Sequence, residues 1–303
     1  MFWGLRKNIL GRSIMDSMIN NKDPRIADAW SDLRANIDGK AQLQPISNRL
    51  AFADAEFLLR RETRGIRFQL ELLKPDLAQQ ELGINHTVVI FGSARFKSEE
   101  ESHAQLAAAM ESGDEARIKK AKVLLKNAAY YEKARAFANL ITHECRDLSP
   151  EEQFFVCTGG GPGIMEAANR GAQEAGGMSV GLNIALPHEQ EPNPYITPNL
   201  SFKFHYFALR KMHFMMRAKA LVAFPGGFGT MDELFETLTL VQCRKSKPVP
   251  IILFGSDYWR RLFNPHMLVE EGAINEEDLG LFKYVDDIKE AWQIIQDFWK
   301  NEA

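Results

Sequence analysis

Two glycine-rich segments constrain the fold of this 303-residue chain more than any other feature. Residues 158–163 follow the apolar run 153–157, and residues 225–230 follow the apolar run 220–224. Each glycine segment is followed in turn by a helical pattern. An apolar run, a glycine turn and a helix in this order are typical of a βαβ unit, in which crossover helices join parallel strands.

Other strand candidates extend this pattern through residues 83–303. We predict five strands, at residues 87–91, 153–157, 179–184, 220–224 and 249–254. These runs are almost entirely apolar, as parallel strands are when helices cover both faces of their sheet. The sequence therefore predicts an α/β fold, with a Rossmann-like doubly wound parallel sheet and helices on both faces. Residues 1–82 are predicted to form an N-terminal helical extension ahead of the sheet domain.

Helical patterns and their breaks predict the connections between the strands. Apolar residues recur at helical spacing over residues 50–74, and Pro75 is expected to end that helix. Residues 98–125 should form a helical insertion before one crossover helix, and residues 202–219 should form another helix. Four prolines within residues 186–200 predict an ordered loop that could act as a lid.

Charge, cysteine content and histidine spacing exclude several classes of function. The net charge is −3 and basic residues are mixed with acidic ones, so no nucleic acid polymer is expected as a partner. The three cysteines are too far apart for a disulfide framework or a CxxC metal site, which fits a reducing compartment. His86, His143 and His213 form no ligand cluster, so no metal is predicted. The first 20 residues lack the continuous apolar stretch of a signal peptide or membrane span, and we predict a cytoplasmic protein.

Both glycine segments should expose backbone amides at the start of a helix. Free amides there, together with the positive end of the helix dipole, bind phosphate or carboxylate; a tight turn without a ligand is the alternative. The chain has no GxxxxGK[ST] motif, and residues 159–166 do not fit GxGxxG, so neither a Walker-type triphosphate loop nor a dinucleotide cofactor is predicted. Because strand-to-helix turns of a parallel sheet lie at one edge, the turn at Gly92 and Ser93 should join both segments in a single anion-binding crevice.

Two further patterns concern charged residues near the second glycine segment. Thr230 and Glu233 have the spacing of a capping box, and they equally fit a phosphate loop in which Glu233 faces the sugar. Arg210 lies in a stretch rich in phenylalanine and methionine, where it needs an anionic partner. A phosphate, a ribose-bound carboxylate or Glu233 could be that partner.

Residues 159–171, the pair Arg210 and Lys211, and residues 225–233 together closely resemble the Lonely Guy family of cytokinin-activating phosphoribohydrolases. The most specific marks are the PGGxGTxxE element and the arginine 15 residues before its proline. Proteins of this kind are often labelled lysine decarboxylases, but this chain has no evident lysine motif for pyridoxal phosphate. The resemblance implies hydrolysis of the N-glycosidic bond of a nucleoside 5′-monophosphate, such as AMP or a cytokinin-type nucleotide. The products would be the free base and ribose 5-phosphate, and no cofactor is implied.

Carried over by motif position, the resemblance implies roles for individual residues. Arg210 and Glu233 would be catalytic, and the 5′-phosphate would be held by Gly226, Gly227, Gly229 and Thr230. Other substrate contacts would come from Gly92, Ser93, Gly160, Gly161, Glu166 and Lys211. Asp232, Glu166 or water could protonate the departing base. The resemblance also implies a homodimer or a larger homo-oligomer.

The chain departs from compact family members in its N-terminal extension, its helical insertion and Lys219. Two other hypotheses stay open beside the enzyme. The same fold resembles non-catalytic nucleotide-binding or molybdenum-cofactor-binding proteins, and the N-terminal helices could serve as an oligomerising scaffold.

Overall fold

The computed structural model describes residues 46–149, 151–186 and 191–302. Backbone contacts divide the chain into two compact units, residues 1–67 and 68–303. The predicted helical structure of residues 1–45 lies outside the described residues, as do residues 187–190 of the predicted lid.

The described helices range from 4 to 31 residues. They are α1 (Ala55–Leu58), α2 (Arg64–Glu81), α3 (Glu99–Ser112), α4 (Glu115–Cys145), α5 (Ile164–Glu174), α6 (Phe207–Met216), α7 (Phe228–Gln242), α8 (Ser256–Leu262), α9 (Pro265–Glu270) and α10 (Ile288–Glu302). Short 3₁₀ segments occur at Ile46–Asn48, Ala51–Ala53, Pro198–Leu200 and Glu276–Leu281. Across the described ranges, no helix combines the length and apolar content that a membrane span requires.

Seven strands form one sheet in which every neighbouring pair is parallel. They are β1 (His86–Phe91), β2 (Phe154–Thr158), β3 (Ser179–Ile184), β4 (Ser201–Phe204), β5 (Ala218–Ala223), β6 (Ile251–Phe254) and β7 (Lys283–Val285). Their order is β4-β3-β2-β1-β5-β6-β7, so the chain winds outward from β1 to β4 and returns on the other side of β1 as β5. This doubly wound parallel sheet confirms the predicted Rossmann-like α/β fold class.

Alternate residues of the central strands face two separate apolar cores. On β1, Val88 and Ile90 belong to the core formed with α4, α5 and α10. Val89 and Phe91 belong to the core formed with α6, α7 and α8, and Ala78 of α2 packs against it. Burying both faces removes apolar surface from water, and each Å² removed stabilises the fold by about 25 cal/mol. This burial is the main driving force for the arrangement.

The five predicted strands are confirmed, with shifts of one or two residues at their ends. The sequence does not predict β4 or β7, and the predicted helix over residues 202–219 is wrong at both ends. Its start is taken by β4, which pairs with β3 and buries Phe202 and Phe204, and its end is taken by β5 from Ala218. A four-residue strand carries too few apolar positions to be told from a helical segment by periodicity.

Pro75 does not end α2, and the helix end predicted there is wrong. A proline inside a helix leaves the carbonyl four residues earlier without its N–H partner. That carbonyl belongs to Glu71, and Nε2 of His213 lies 3.3 Å from it. The imidazole thus supplies the hydrogen bond that the backbone cannot, and α2 continues to Glu81. The predicted start at residue 50 is also wrong, because a 3₁₀ turn and the short α1 precede α2.

Candidate active site

Three strand-to-helix loops meet at the carboxyl edge of the sheet, where β1 lies between β2 and β5. The amide of Ser93, after β1, donates to the carbonyl of Pro225, after β5, at 3.0 Å. The amide of Ile164, after β2, donates to the carbonyl of Ser93, also at 3.0 Å. These bonds join the three loops around one crevice at the point where the sheet reverses its winding, which is where such folds bind ligands. The crevice agrees with the prediction from parallel topology.

Gly163 allows this close approach of the loops. Its φ of 74° is in the left-handed region, and a Cβ atom at this position would lie 2.2 Å from the carbonyl oxygen of Ser93. A side chain here would therefore push the loop after β2 away from the loop after β1.

The glycine loop after β2 is held by Asn193, a residue that the sequence analysis did not identify. Its Nδ2 donates to the carbonyls of Gly160 and Gly161 at 3.2 and 3.1 Å and to Oδ1 of Asn169 at 3.0 Å. The amide of Gly160 donates to Oγ1 of Thr158 at 3.0 Å, so it is already occupied. Because a trans peptide points its C=O and N–H in opposite directions, Asn193 turns the Gly161 amide away from itself. The only sequence signal was an asparagine between two prolines.

The second glycine loop ends at the N-terminus of α7. The N-cap is Gly227, and α7 begins at Phe228, so the capping box with Thr230 as N-cap is wrong. Local geometry decides this: the amides of Thr230 and Met231 both donate to the carbonyl of Gly227, at 3.0 and 3.1 Å. In the described ranges, the amides of Phe228 and Gly229 have no hydrogen-bond partner. These amides, at the positive end of the α7 dipole, are suited to bind an anion.

Tyr258 on α8 fixes the orientation of this second loop. Its hydroxyl donates to the carbonyl of Gly226 at 2.5 Å, which turns the amide of Gly227 the opposite way. Trp259 next to it donates from Nε1 to the carbonyl of Ala223 at 3.1 Å and anchors α8 to β5. No motif in the sequence indicates the role of Tyr258.

Arg210 extends from α6 toward the first glycine loop. Its Nε donates to the carbonyl of Leu182 on β3 at 2.8 Å, and its guanidinium lies 5.1 Å from the ring centre of Phe214. A Cβ atom at position 159 would lie 2.6 Å from Nη2 of Arg210, so Gly159 leaves the space that the guanidinium occupies. Burial lowers the pKa of Arg210, while Glu233 acts in the opposite direction. Arg210 forms no ion pair within the described ranges, which leaves its charge available for an anionic ligand.

Glu233 is buried on the inner side of α7, with only 7% of its surface exposed. Burial raises its pKa to about 7, although the cations Lys211 and Arg210 lower it. Asp232 and Glu236 add to the rise because two further negative charges on α7 disfavour ionisation. A carboxyl group with this pKa is present in both protonation states near neutral pH and is suited to proton transfer.

Residues 165–295 match a family model described as "Possible lysine decarboxylase". A rice protein (Oryza sativa subsp. japonica) named "Probable cytokinin riboside 5'-monophosphate phosphoribohydrolase" is 31% identical over 123 residues, which cover 40% of this chain and 49% of that protein. The pyrimidine/purine nucleotide 5'-monophosphate nucleosidase of Escherichia coli K12 is 33% identical over 131 residues, which cover 38% of this chain and 28% of that enzyme. The resemblance to the Lonely Guy family is confirmed.

This chain spans about half or less of the length of the curated relatives it matches. The molybdenum cofactor binding protein of Rippkaea orientalis is a solved structure that aligns with 70% of this chain and 94% of its own, at 15% identity and a TM-score of 0.42.

The Lonely Guy resemblance also implied substrate contacts from Lys211 and Glu166. Nζ of Lys211 forms ion pairs with Asp232 at 2.9 Å and Glu236 at 2.5 Å, so its charge is already engaged on the outer side of α7. Glu166 accepts a hydrogen bond from the hydroxyl of Tyr131 on α4 at 2.8 Å. Within the described ranges, neither Lys211 nor Glu166 forms a hydrogen bond or ion pair with Arg210 or Glu233.

Phe228, within the PGGxGTxxE element, has 94% of its surface exposed. It borders a surface cavity of about 600 Å³ on the outer side of α7. The cavity is lined by Lys211, Phe228, Met231, Asp232, Phe235, Glu236, Thr239 and Leu240. It is thus adjacent to the crevice rather than part of it, since its lining includes neither Glu233 nor the first glycine loop.

Proposed function

We propose that this protein hydrolyses the N-glycosidic bond of a nucleoside 5′-monophosphate to the free base and ribose 5-phosphate. The observation that carries the proposal is a buried carboxyl group, Glu233, with a pKa of about 7, on the helix that begins at the second glycine loop. The names of the rice and E. coli relatives describe reactions on nucleoside 5′-monophosphates, which supports the same substrate class.

The 5′-phosphate would bind at the N-terminus of α7, in the loop that contains Gly226, Gly227, Gly229 and Thr230. The unpartnered amides of this helix start would donate to the phosphate oxygens, and the helix dipole favours the negative charge. Thr230 is 5% exposed, and Gly226 leaves the space that its hydroxyl occupies, since a Cβ atom on Gly226 would lie 2.1 Å from Oγ1 of Thr230. The loops at Gly92, Ser93, Gly160 and Gly161 would line the opposite side of the crevice.

Glu233 and Arg210 would act on the sugar. Cleavage passes through a transition state with positive charge near C1′, which an ionised Glu233 stabilises while it deprotonates the attacking water. Enzymes lower the activation free energy by roughly 8–23 kcal/mol, and general acid–base catalysis accounts for about 3–5 kcal/mol of that. The rest would come from binding energy, because a phosphate fixed in the loop positions the ribose. Nucleosides without the phosphate should therefore react poorly.

A lysine decarboxylase reaction is less consistent with these residues. Such chemistry needs a lysine that loses its proton to form a Schiff base with a cofactor. Although burial of Lys211 opposes it, hydrogen bonds to Glu236 and Asp232 raise the pKa of this lysine, which keeps it protonated. We therefore favour the hydrolase.

The test is a product assay with purified protein, AMP and other nucleoside 5′-monophosphates. Free base and ribose 5-phosphate should appear, and Glu233→Ala and Arg210→Ala should abolish their release. Glu111→Gln, which changes an exposed carboxylate on α3, is the control. Unchanged turnover in both site variants would reject this mechanism. Tight ligand binding without product would favour the alternative, a non-catalytic nucleotide- or molybdenum-cofactor-binding protein.

Several finer points belong to this proposal. The preferred base, whether adenine or a cytokinin-type base, depends on groups that contact the base rather than on the phosphate loop. A cytoplasmic location and a homodimer or larger homo-oligomer stay predictions. Mass in solution, with and without residues 1–67, measures whether the N-terminal segment contributes to assembly, and an unchanged oligomer would exclude that contribution.

A further inference from the structure

We propose that residues 68–81 of α2 position Arg210 by bracing α6 at both ends and in the middle. The bracing helix precedes the sheet and lies in the part of the chain that compact family members lack. The effect on catalysis rests on the proposed function, whereas the bracing itself is a property of the fold.

The first contact is at the N-terminus of α6. The amides of His205 and Tyr206 donate to the two carboxylate oxygens of Glu71, at 3.0 and 3.2 Å. The N-cap residue of α6, Tyr206, provides no side-chain cap of its own. The carboxylate of Glu71 therefore takes the place of a local cap, and its negative charge lies at the positive end of the helix dipole. Phe68 adds an edge-to-face contact with Tyr206, with ring centres 4.3 Å apart.

The second contact is in the body of α6 and depends on Pro75. His213 is 2% exposed, and its Nε2 lies 3.3 Å from the Glu71 carbonyl that the proline leaves without a backbone partner. Burial lowers the pKa of His213, so the ring is neutral and Nε2 carries the proton that it donates. His213 follows Arg210 by three residues on α6, so the two side chains are on neighbouring turns.

The third contact is at the C-terminus of α6, where Arg217 is the C-cap residue. Nη2 of Arg217 lies 2.6 Å from Oδ1 of Asp76 and donates to the carbonyl of Asp76 at 3.1 Å. Its Nε donates to the carbonyl of Ile84 at 2.8 Å. Together the three contacts span α6 from before its first residue to after its last.

The position of Arg210 is sensitive to the position of α6. Among the residues that the structure describes, its side chain donates one hydrogen bond, to the carbonyl of Leu182, and its guanidinium lies against Gly159 with no room for a methyl group. A displacement of about 1 Å in a group that acts on the substrate can cost about a hundredfold in rate. Residues 68–81 would then control activity without contacting the substrate.

Glu71→Ala is the direct test, with Glu111→Gln on α3 as the control for loss of one carboxylate. Amide hydrogen exchange is measured first, because it does not depend on any reaction. The amides of His205 and Tyr206 should exchange at least about tenfold faster in Glu71→Ala, since each loses a hydrogen bond to a charged group. They should be unchanged in Glu111→Gln. Unchanged exchange in Glu71→Ala would overturn the bracing. Should that variant fail to fold, Glu71→Gln, which keeps the side-chain volume and one acceptor, takes its place.

Kinetics test whether the bracing positions Arg210. In Glu71→Ala, kcat/KM for AMP should fall about 10- to 100-fold. The acidic limb of its pH profile should also move to higher pH, because Arg210 would no longer lower the pKa of Glu233 while Lys211, Asp232 and Glu236 stay in place. A smaller folded fraction would reduce the rate without moving that limb, so faster exchange with an unmoved limb would overturn the positioning role. If the wild-type protein releases no base from any nucleotide, the proposed function is wrong. Hydrogen exchange then still tests whether Glu71 braces α6.

Discussion

Glu233→Gln should make the protein more stable at alkaline pH while it removes activity. Burial raises the pKa of this carboxyl group from its ordinary value of 4.5 to about 7. Between these two values the unfolded chain releases the proton and the folded chain keeps it, so the free energy of unfolding falls as the pH rises. Glutamine resembles the protonated acid in shape and carries no charge, so the variant avoids this loss.

The size of the effect follows from the two pKa values. At about 1.4 kcal/mol for each pH unit between them, the raised pKa of Glu233 lowers the free energy of unfolding by about 3 kcal/mol near pH 9. Near pH 5, where the folded chain still keeps the proton, it lowers this free energy by only about 1 kcal/mol. With an unfolding entropy of about 2 cal/mol/K per residue, the variant should melt about 5 °C higher than wild type near pH 9, and about 1–2 °C higher near pH 5.

The assay is thermal unfolding of Glu233→Gln, Glu111→Gln and wild type across this pH range, beside hydrolysis of AMP. The Glu233 variant should lose about 10²–10⁴ in kcat, because it has no group to accept or donate the proton. The Glu111 variant should follow wild type in both measurements, since that carboxylate is exposed. If the stability difference between Glu233→Gln and wild type does not widen as the pH rises, burial does not raise this pKa and the reasoning fails.

Gly159→Ala should lower kcat/KM for AMP at least about tenfold, because the added methyl would lie 2.6 Å from a guanidinium nitrogen of Arg210. The control is Gly280→Ala, where the added carbon meets open space. Equal kcat/KM values in the two variants would contradict this prediction. Tyr258→Phe removes the hydroxyl that orients the second glycine loop and should raise both KM for AMP and the inhibition constant for inorganic phosphate about fivefold, with kcat little changed. An unaltered phosphate constant argues against that role. Asn193→Ala should lower the free energy of unfolding by about 1–3 kcal/mol in urea titrations, because the Gly161 carbonyl loses its donor while the Gly160 carbonyl keeps the backbone amide of residue 193. A wild-type free energy of unfolding would contradict this role.

The proposed reaction needs groups that the fold would otherwise avoid. A buried carboxyl group with a pKa near 7 costs stability when no ligand is bound, and so does a partly buried guanidinium that forms no ion pair within residues 46–149, 151–186 and 191–302. Binding of a nucleotide phosphate and sugar would satisfy these groups. We therefore expect ribose 5-phosphate to raise the melting temperature of the wild-type protein more than that of Arg210→Ala.

Sequence patterns are enough to predict the fold class and the edge of the sheet at which the crevice lies. Apolar runs that end in glycine turns are local patterns, and parallel topology then requires their turns to share one edge. Local patterns failed where two structures have similar apolar spacing, as in residues 201–204, where pairing with β3 selects a strand over a helix. They failed again at Pro75, where α2 continues to Glu81 and the carbonyl that the proline leaves without a backbone donor lies 3.3 Å from Nε2 of His213.

The side chains that hold the crevice in shape could not be predicted from the sequence, because they come from distant parts of the chain. Asn193 contacts a carbonyl 33 residues earlier, Tyr258 one 32 residues earlier, and Glu71 reaches an amide 135 residues later. Such pairs leave no periodic trace in the chain, since nothing in the spacing of the two residues reflects their contact. The pKa of Glu233 is likewise set by burial and by charges from two helices, which exist only once α6 and α7 are packed on the sheet.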